Sequence, residues 1–267
     1  ETALPHLRTL DLGAFQPEVY LEETLGEWEA GAQHLGRVAR DEGLHTQQFV
    51  AHFLMHYFGR DDVLRSNTSK DLMKRVVQLV MTMGGCPSII VPVPAYEESA
   101  EAAANPAGVR DERSRFVERI ASLLAIVEDA GLRLGLEALP GSLVHGTQGF
   151  LDLAESIESA TIGLCLDTGH SWASGEDVTQ APKRLGNRIL GTHICDNDGI
   201  VNTSGRPGTG TIDWNHMVQA IVDSGYSGSW DIEIGCAPEL VNTEYQEGLA
   251  FLRRIRAAYS TPARPAR

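Results

Sequence analysis

Apolar and polar positions along this chain follow two periods, and the two alternate. Short runs rich in branched aliphatic residues predict strands over Leu7–Leu12, His45–Leu54, Ser88–Pro92, Leu132–Leu139, Ile162–Asp167, Ile189–Ile194 and Trp230–Ile234. Between them, apolar residues recur at helical spacing near Thr24–Glu42, Lys70–Met83, Arg113–Asp129, Gln148–Ser156, Asp213–Asp223 and Asn242–Ala258, with a shorter, less periodic stretch near Asp177–Leu185. The second of these helices is bracketed by start signals in Asn67, Thr68 and Ser69 and by a stop in Gly84-Gly85.

Strands that alternate with helices predict a parallel sheet with crossover helices, either open and doubly wound or closed into a barrel. Spacing favours the barrel. From Glu137 to Asp167 is 30 residues, from Asp167 to His193 is 26 and from His193 to Glu233 is 40, while a barrel of about 250 residues with eight repeats averages about 31 per repeat. The expected fold is therefore α/β, a (β/α)8 TIM barrel occupying residues 1–267 as one domain, with 259–267 as a flexible tail. No Pro/Gly/Ser linker divides the chain. Seven strand-like runs leave the barrel one short, and the expectation is that the first strand lies upstream of Glu1, which would also account for the missing initiator Met.

Composition narrows the partners. A 42% hydrophobic and 22% charged chain is ordinary for a globular protein. Against 36 Asp plus Glu stand 22 Lys plus Arg, a net charge of −14 that opposes a phosphate backbone, and no basic stripe offsets it. No run approaches the roughly 18 apolar residues of a membrane span, and no basic segment followed by an apolar one opens the chain. Cys86, Cys165, Cys195 and Cys236 show no CxxC spacing and read as small core residues in a reduced, cytoplasmic setting. Phosphate-binding GxGxxG or GKS/T elements are absent, and Gly208-Thr209-Gly210 is too short to count as one. Neither nucleic acid nor a membrane is an expected partner; a small substrate is, and a homo-oligomer is compatible.

The chemistry sits at strand exits. Glu137 follows Arg133-Leu134-Gly135-Leu136, Asp167 follows Ile162-Gly163-Leu164-Cys165-Leu166, His193 closes Ile189-Leu190-Gly191-Thr192, and Glu233 follows Trp230-Asp231-Ile232. A lone charge at the end of an apolar strand is costly, and any one of these taken singly reads as a strand-end or capping residue. In a barrel, however, the C-terminal strand ends face one mouth, so four consecutive repeats deliver these side chains to one point. Two carboxylates about 4 Å apart repel by about 4 kcal/mol at an effective dielectric of 20, and a divalent cation removes that conflict. Three oxygen donors and one imidazole suit one hard or borderline ion, Mn²⁺ or Mg²⁺ ahead of Co²⁺ or Zn²⁺.

From about Arg113 to Tyr259 the chain resembles the xylose isomerase-like superfamily of sugar isomerases and epimerases, which also holds inosose dehydratases and apurinic-site endonucleases. The resemblance is carried by Gly135-Leu136-Glu137-Ala138, by Leu166-Asp167-Thr168-Gly169-His170, by Gly191-Thr192-His193, by Gly208-Thr209-Gly210-Thr211-Ile212-Asp213-Trp214 and by Asp231-Ile232-Glu233. It implies that Glu137 and Glu233 flank the substrate carbon and exchange its proton, and that His170 binds substrate. Arg206, in Ser204-Gly205-Arg206-Pro207-Gly208, resembles a substrate-clamping position, although an arginine in such a loop is as readily just solvated. Trp172 either walls the pocket or packs on a helix. His52 and His56, four apart on a presumed strand, either line the mouth or serve as ordinary core or loop histidines.

The resemblance implies a metal-dependent sugar isomerase or epimerase on a small carbohydrate or polyol. A lyase, dehydratase-like on a keto-sugar or inosose, uses the same base and metal and is the alternative. An apurinic-site endonuclease ranks last, because the Asp-x-His pair that such enzymes carry after the His strand is absent and the charge opposes duplex binding. Asp196-Asn197-Asp198-Gly199 has the composition of an ordinary turn.

Overall fold

The computed structural model of the chain describes residues 3–98 and 106–260. Five parallel strands follow one another in sequence order across one sheet: β1 (Phe49–Val50), β2 (Ser88–Val93), β3 (Arg133–Ala138), β4 (Ile162–Asp167) and β5 (Ile189–His193). Single parallel bridges continue the sheet beyond both edges, Glu18 with Val50 on one side and Ile194 with Ile232 on the other. The sheet curls as a TIM barrel does.

Helices cover its outer face. They are α1 (Ala3–Thr9), α2 (Leu25–Asp41), α3 (Asp61–Arg65), α4 (Thr68–Met83), α5 (Pro106–Glu128), α6 (Gly146–Ile157), α7 (Thr168–Ala173), α8 (Ala181–Leu185), α9 (Trp214–Asp223) and α10 (Val241–Ser260). The large core lies between them and the sheet, with Phe49, Phe53, Phe116 and Phe150 fully buried. A small second cluster of Val50, Ile90, Cys165 and Leu190 stands apart from it. Because both faces are covered, β2 and β4 are buried along their whole length, as parallel strands usually are. Among the described residues no helix is long and apolar enough to cross a membrane, and all four cysteines are free thiols.

Three predicted strands are corrected. Trp230–Ile234 forms no ladder and meets the sheet only at the single Ile194–Ile232 bridge. Leu7–Leu12 lies on α1 and the turn after it, since Leu4 and Leu7, three apart, share a helical face packed toward Ala39 and Leu44. The extended segment at this edge is instead the one bridged at Ala14 and Glu18. His45–Leu54 ends as a strand at Val50: Ala51 donates the last ladder bond to the Ile90 carbonyl at 2.9 Å, and Leu54 N–H then closes a turn on Ala51 at 3.1 Å. His52–Tyr57 is a 3₁₀ helix, so His52 and His56 do not share a strand face.

At the second long helix, Asn67 forms no side-chain cap; the Thr68 N–H is met by Ser66 Oγ at 3.2 Å. Gly84 ends that helix with φ of 71°, as its position predicts. The expected 259–267 tail falls outside the described residues from 261 onward, and its first two residues still belong to α10.

Candidate metal centre

Register brings the site together. Glu137 on β3 pairs with Cys165 on β4, whereas Asp167, two residues further up β4, pairs with His193 on β5. This stagger is the tilt a barrel requires, and side chains two apart on a strand share a face. Glu137, Asp167 and His193 therefore share the inward face, with Asp167 and His193 level in register and Glu137 two residues lower. Glu233 joins them through the bridge beside β5, in which Ile194 N–H donates to the Asp231 carbonyl at 2.8 Å and Glu233 N–H to the Ile194 carbonyl at 3.1 Å.

One ligand-type atom from each of Glu137, Asp167, His193 and Glu233 lies within 4.8 Å of the other three. His193 Nδ1 is 2.6 Å from Glu137 Oε1, 3.1 Å from Glu233 Oε2 and 3.8 Å from Asp167 Oδ2. The first three side chains are buried; that of Glu233 is 41% exposed and faces the opening. Asp167 divides its labour, because Oδ1 caps α7 by accepting the His170 N–H at 2.7 Å, while Oδ2 is buried without a hydrogen-bond partner. Glu233 Oε2 is also buried and without one. Buried carboxylate oxygens are seldom left in that condition. Two of them aimed at one point, beside an imidazole nitrogen and a third carboxylate, fit a divalent cation.

The acids respond differently to this crowding. Burial pushes Glu233 up to about 7, with Asp167 and Glu137 adding to the rise and His193 opposing it. Burial also raises Asp167 above the usual carboxylate range, an effect that His170 opposes and Glu137 reinforces. For Glu137, burial is outweighed by the charge and hydrogen bond of His193, and its carboxyl is held below its ordinary value. Burial works against the His193 charge, yet Cys165 and Glu137 beside it hold the imidazole well above its usual pKa.

A family profile described as "Xylose isomerase-like TIM barrel" matches residues 9–255. The chain belongs to that family. Among curated relatives, a D-psicose 3-epimerase from Enterocloster bolteae is 26% identical over 121 residues, covering 44% of this chain and 38% of the relative. An inosose dehydratase from Clostridium perfringens is 24% identical over 149 residues, 49% of this chain and 50% of the relative. The matched stretches thus span about half or less of these relatives' length. A crystal structure of an IOLI protein with a bound zinc atom superposes with a TM-score of 0.75 at 18% identity, covering 98% of this chain and 93% of the other. That likeness extends the shared fold to nearly the whole chain.

The remaining residues singled out in the sequence are distributed around this xylose isomerase-like site. His170, on α7, lies with Nε2 3.9 Å from Asp167 Oδ2. Its Nδ1 faces Asn202 Nδ2 at 3.1 Å, and because Asn202 Oδ1 accepts the Ser204 N–H at 3.0 Å the amide is oriented to donate. The His170 proton therefore sits on Nε2, toward the cluster. His52 contacts Glu18 Oε1 through Nδ1 at 2.6 Å and stacks on Tyr20 with ring centroids 4.2 Å apart.

Arg206 is engaged elsewhere. Its Nε donates to Glu244 Oε2 at 2.9 Å and its Nη1 pairs with Glu247, both on α10. Trp172 donates from Nε1 to Thr211 Oγ1 at 2.8 Å, beneath the loop that follows β5. That loop is organised by Asp196, which is fully buried and accepts from Gly208 N–H at 2.9 Å and Trp214 Nε1 at 2.7 Å. Turn chemistry is carried by Asn197, whose Oδ1 accepts the Gly199 N–H at 2.8 Å, and by Asp198, whose Oδ1 accepts from Ile200 and Val201 N–H.

Sequence reasoning missed Gln16, Glu18, Tyr20, Gln48 and Asn202. Gln16, Glu18 and Tyr20 are two apart along the first extended segment, and Gln16 Oε1 lies 2.8 Å from His193 Nε2. That places Glu18 one side-chain step nearer the mouth. The alternation was present in the sequence, but with no apolar run around it nothing marked a strand there.

Proposed function

We propose that this chain is a divalent-metal-dependent isomerase or epimerase of a small sugar or polyol, acting by proton transfer at a carbon next to a carbonyl or hydroxyl. The observation that carries this reading is the four-residue cluster with two buried, unpartnered carboxylate oxygens at its centre. Glu137, Asp167, His193 and Glu233 would hold the ion, with Mn²⁺ the expected metal for three oxygens and one nitrogen. When bound, a divalent ion supplies Lewis acidity, which polarises a substrate carbonyl or hydroxyl and lowers the pKa of the adjacent C–H.

The protein's own groups do the rest. Glu233, half-buried, and Glu137, buried, both beside His193 Nδ1, are the two carboxylates that would take a proton from one side of a substrate carbon and return it from the other. The Nε2–H of His170 would donate to a substrate oxygen. His52 and Tyr20, with Glu18, line the entrance, where they would meet the part of the substrate furthest from the cluster. A lyase is the second reading, favoured by the match to an inosose dehydratase: the same carboxylate removes the proton, and a β-hydroxyl then leaves with its electron pair and acquires a proton to depart as water.

Turnover in D₂O tests both. Transfer through a carboxylate places solvent deuterium at one carbon of the product or recovered substrate, and product mass in H₂O separates isomerisation, which leaves it unchanged, from elimination. Glu233→Gln keeps the shape and one oxygen donor but removes the basic site, so exchange should fall by about 10²-fold or more, with metal content measured beside it. Full exchange in metal-replete Glu137→Gln and Glu233→Gln proteins would show that neither carboxylate is the base and pass that role to His170.

A further inference from the structure

The four ligand-type residues leave one buried feature unexplained, a pair of glutamines that cross the barrel beneath them. Gln48 is fully buried. Its Nε2 lies 3.2 Å from the Thr192 carbonyl oxygen and 3.0 Å from Asp231 Oδ2, and it also meets Gln16 Oε1. Asp231 is itself held by Ser229 Oγ at 3.1 Å. Gln16 Oε1 in turn lies 2.8 Å from His193 Nε2.

The chemistry of these contacts orients both amides, although the two N–H groups of Gln48 are shared among three acceptors. A main-chain carbonyl only accepts, so the Gln48 atom facing Thr192 must be the amide nitrogen. That nitrogen donates to Gln16, so the Gln16 atom facing it must be oxygen. The same oxygen faces His193 Nε2, which must therefore carry a proton. Nδ1 is then the nitrogen left for an ion, and it is the atom turned toward Glu137, Asp167 and Glu233; in the metal-free protein it donates to Glu137 Oε1 at 2.6 Å, a proton that an ion would displace.

We infer that Gln16 and Gln48 are positioning residues for the metal centre, a relay of amides that fixes the His193 ring with Nε2 donating to Gln16 and keeps Nδ1, on the side of the carboxylates, as the nitrogen available to an ion. The inference rests on the metal reading given above and adds the part of the chain before β2 to it. Packing alone does not account for Gln48. Its Oε1 is buried with no hydrogen-bond partner, an unfavourable state that an apolar side chain of the same size would avoid. Room for that oxygen depends on Gly191, where a Cβ would sit 1.4 Å from Gln48 Oε1. The glycine two residues before His193 is thus part of the same device.

Metal affinity and tautomer read this directly. Full-length wild type, Gln16→Met and Gln16→Glu are titrated with Zn²⁺ against a chelator of known affinity, with the unfolding midpoint of each metal-free protein recorded alongside. Wild type should bind about one ion per chain. Gln16→Met keeps the length but loses the acceptor and should weaken binding by about 10–100-fold, the usual effect of removing the partner of a ligand histidine; Gln16→Glu, which retains an acceptor oxygen, should preserve most of the affinity. Nitrogen-15 spectra of the Zn²⁺-loaded wild type should place the His193 proton on Nε2.

Equal affinity in Gln16→Met, or a proton on Nδ1 with Nε2 on the metal, would overturn the relay while leaving the metal reading intact. Absence of ion from wild type would overturn both. If Gln16→Met does not fold, the wild-type tautomer and Gln16→Glu decide alone.

Discussion

The stretch from Arg133 to Glu233 and the stretch before Pro92 meet at one site but hold it with different chemistry. The later stretch brings charges: three carboxylates and an imidazole at the ends of consecutive strand positions. The earlier one brings the neutral amides of Gln16 and Gln48, below His193, and the Glu18–His52–Tyr20 group toward the mouth. A charge at the end of an apolar strand is expensive enough to announce itself, whereas a glutamine in a β-segment looks like any polar position. The comparison predicts that substitutions in the later stretch remove the ion, and that those in the earlier one retune a site that still exists.

The largest effect should come from the ligands. His193→Ala and Asp167→Ala each remove one donor from a cluster whose remaining carboxylates still repel one another, so metal content should fall from about one ion per chain to near zero after dialysis, as measured by elemental analysis. Asp167→Ala also removes the oxygen that caps α7 at His170 N–H, so its unfolding midpoint should drop further than that of His193→Ala. Undiminished metal in the His193→Ala protein would break the comparison at its strongest point.

How much was legible follows the same division. The barrel, the helices α2, α4, α6, α9 and α10 and the four clustered residues were readable, because helical periodicity and costly strand-end charges leave marks in one sequence. Leu7–Leu12 and His45–Leu54 were misread because short apolar runs have no decisive period; only tertiary contacts, Leu4 and Leu7 toward Leu44 or Leu54 N–H on Ala51, settle their form. Asp196 was read as turn chemistry because nothing local distinguishes an exposed turn aspartate from a buried one that accepts four N–H groups from residues 197–214. Arg206 looked like a free clamp because its partners, Glu244 and Glu247, lie some forty residues on.

A smaller effect is the pH dependence of loading. A group whose pKa is raised in the metal-free protein keeps its proton to higher pH, and the ion must displace it. With Glu233 pushed up to about 7, loading should release its proton below pH 7 and not above, so apparent affinity should climb by up to about tenfold per pH unit on its account below that point. His193, held well above its ordinary value, should continue to release a proton beyond it. Calorimetry in buffers of different ionisation enthalpy counts these protons; a constant count from pH 5.5 to 8.5 would remove Glu233 from the coordinating set.

The smallest effect should distinguish two residues that the sequence presented as equals. His52 and Arg206 both appeared as substrate-binding candidates. His52 is held in place by its Nδ1 on Glu18 at 2.6 Å and its ring on Tyr20, so its other nitrogen would be the one to meet a substrate hydroxyl. Arg206 is already committed through Nε and Nη1 to two carboxylates of α10, and its aliphatic stem lies against Gly248. Removing a single neutral hydrogen bond to substrate costs about 0.5–1.5 kcal/mol, or about 2- to 12-fold in KM when binding alone is lost. His52→Ala should raise KM within that range, leaving kcat and metal content near wild type, and Glu18→Gln should do part of the same by loosening the ring. Arg206→Ala should leave KM closer to wild type and instead lower the unfolding midpoint, since two acids on α10 lose their partner. A larger KM change in Arg206→Ala than in His52→Ala would mean that substrate draws the arginine away from Glu244 and Glu247, and that the side of the barrel carrying α10, not the side carrying Glu18 and His52, sets substrate affinity.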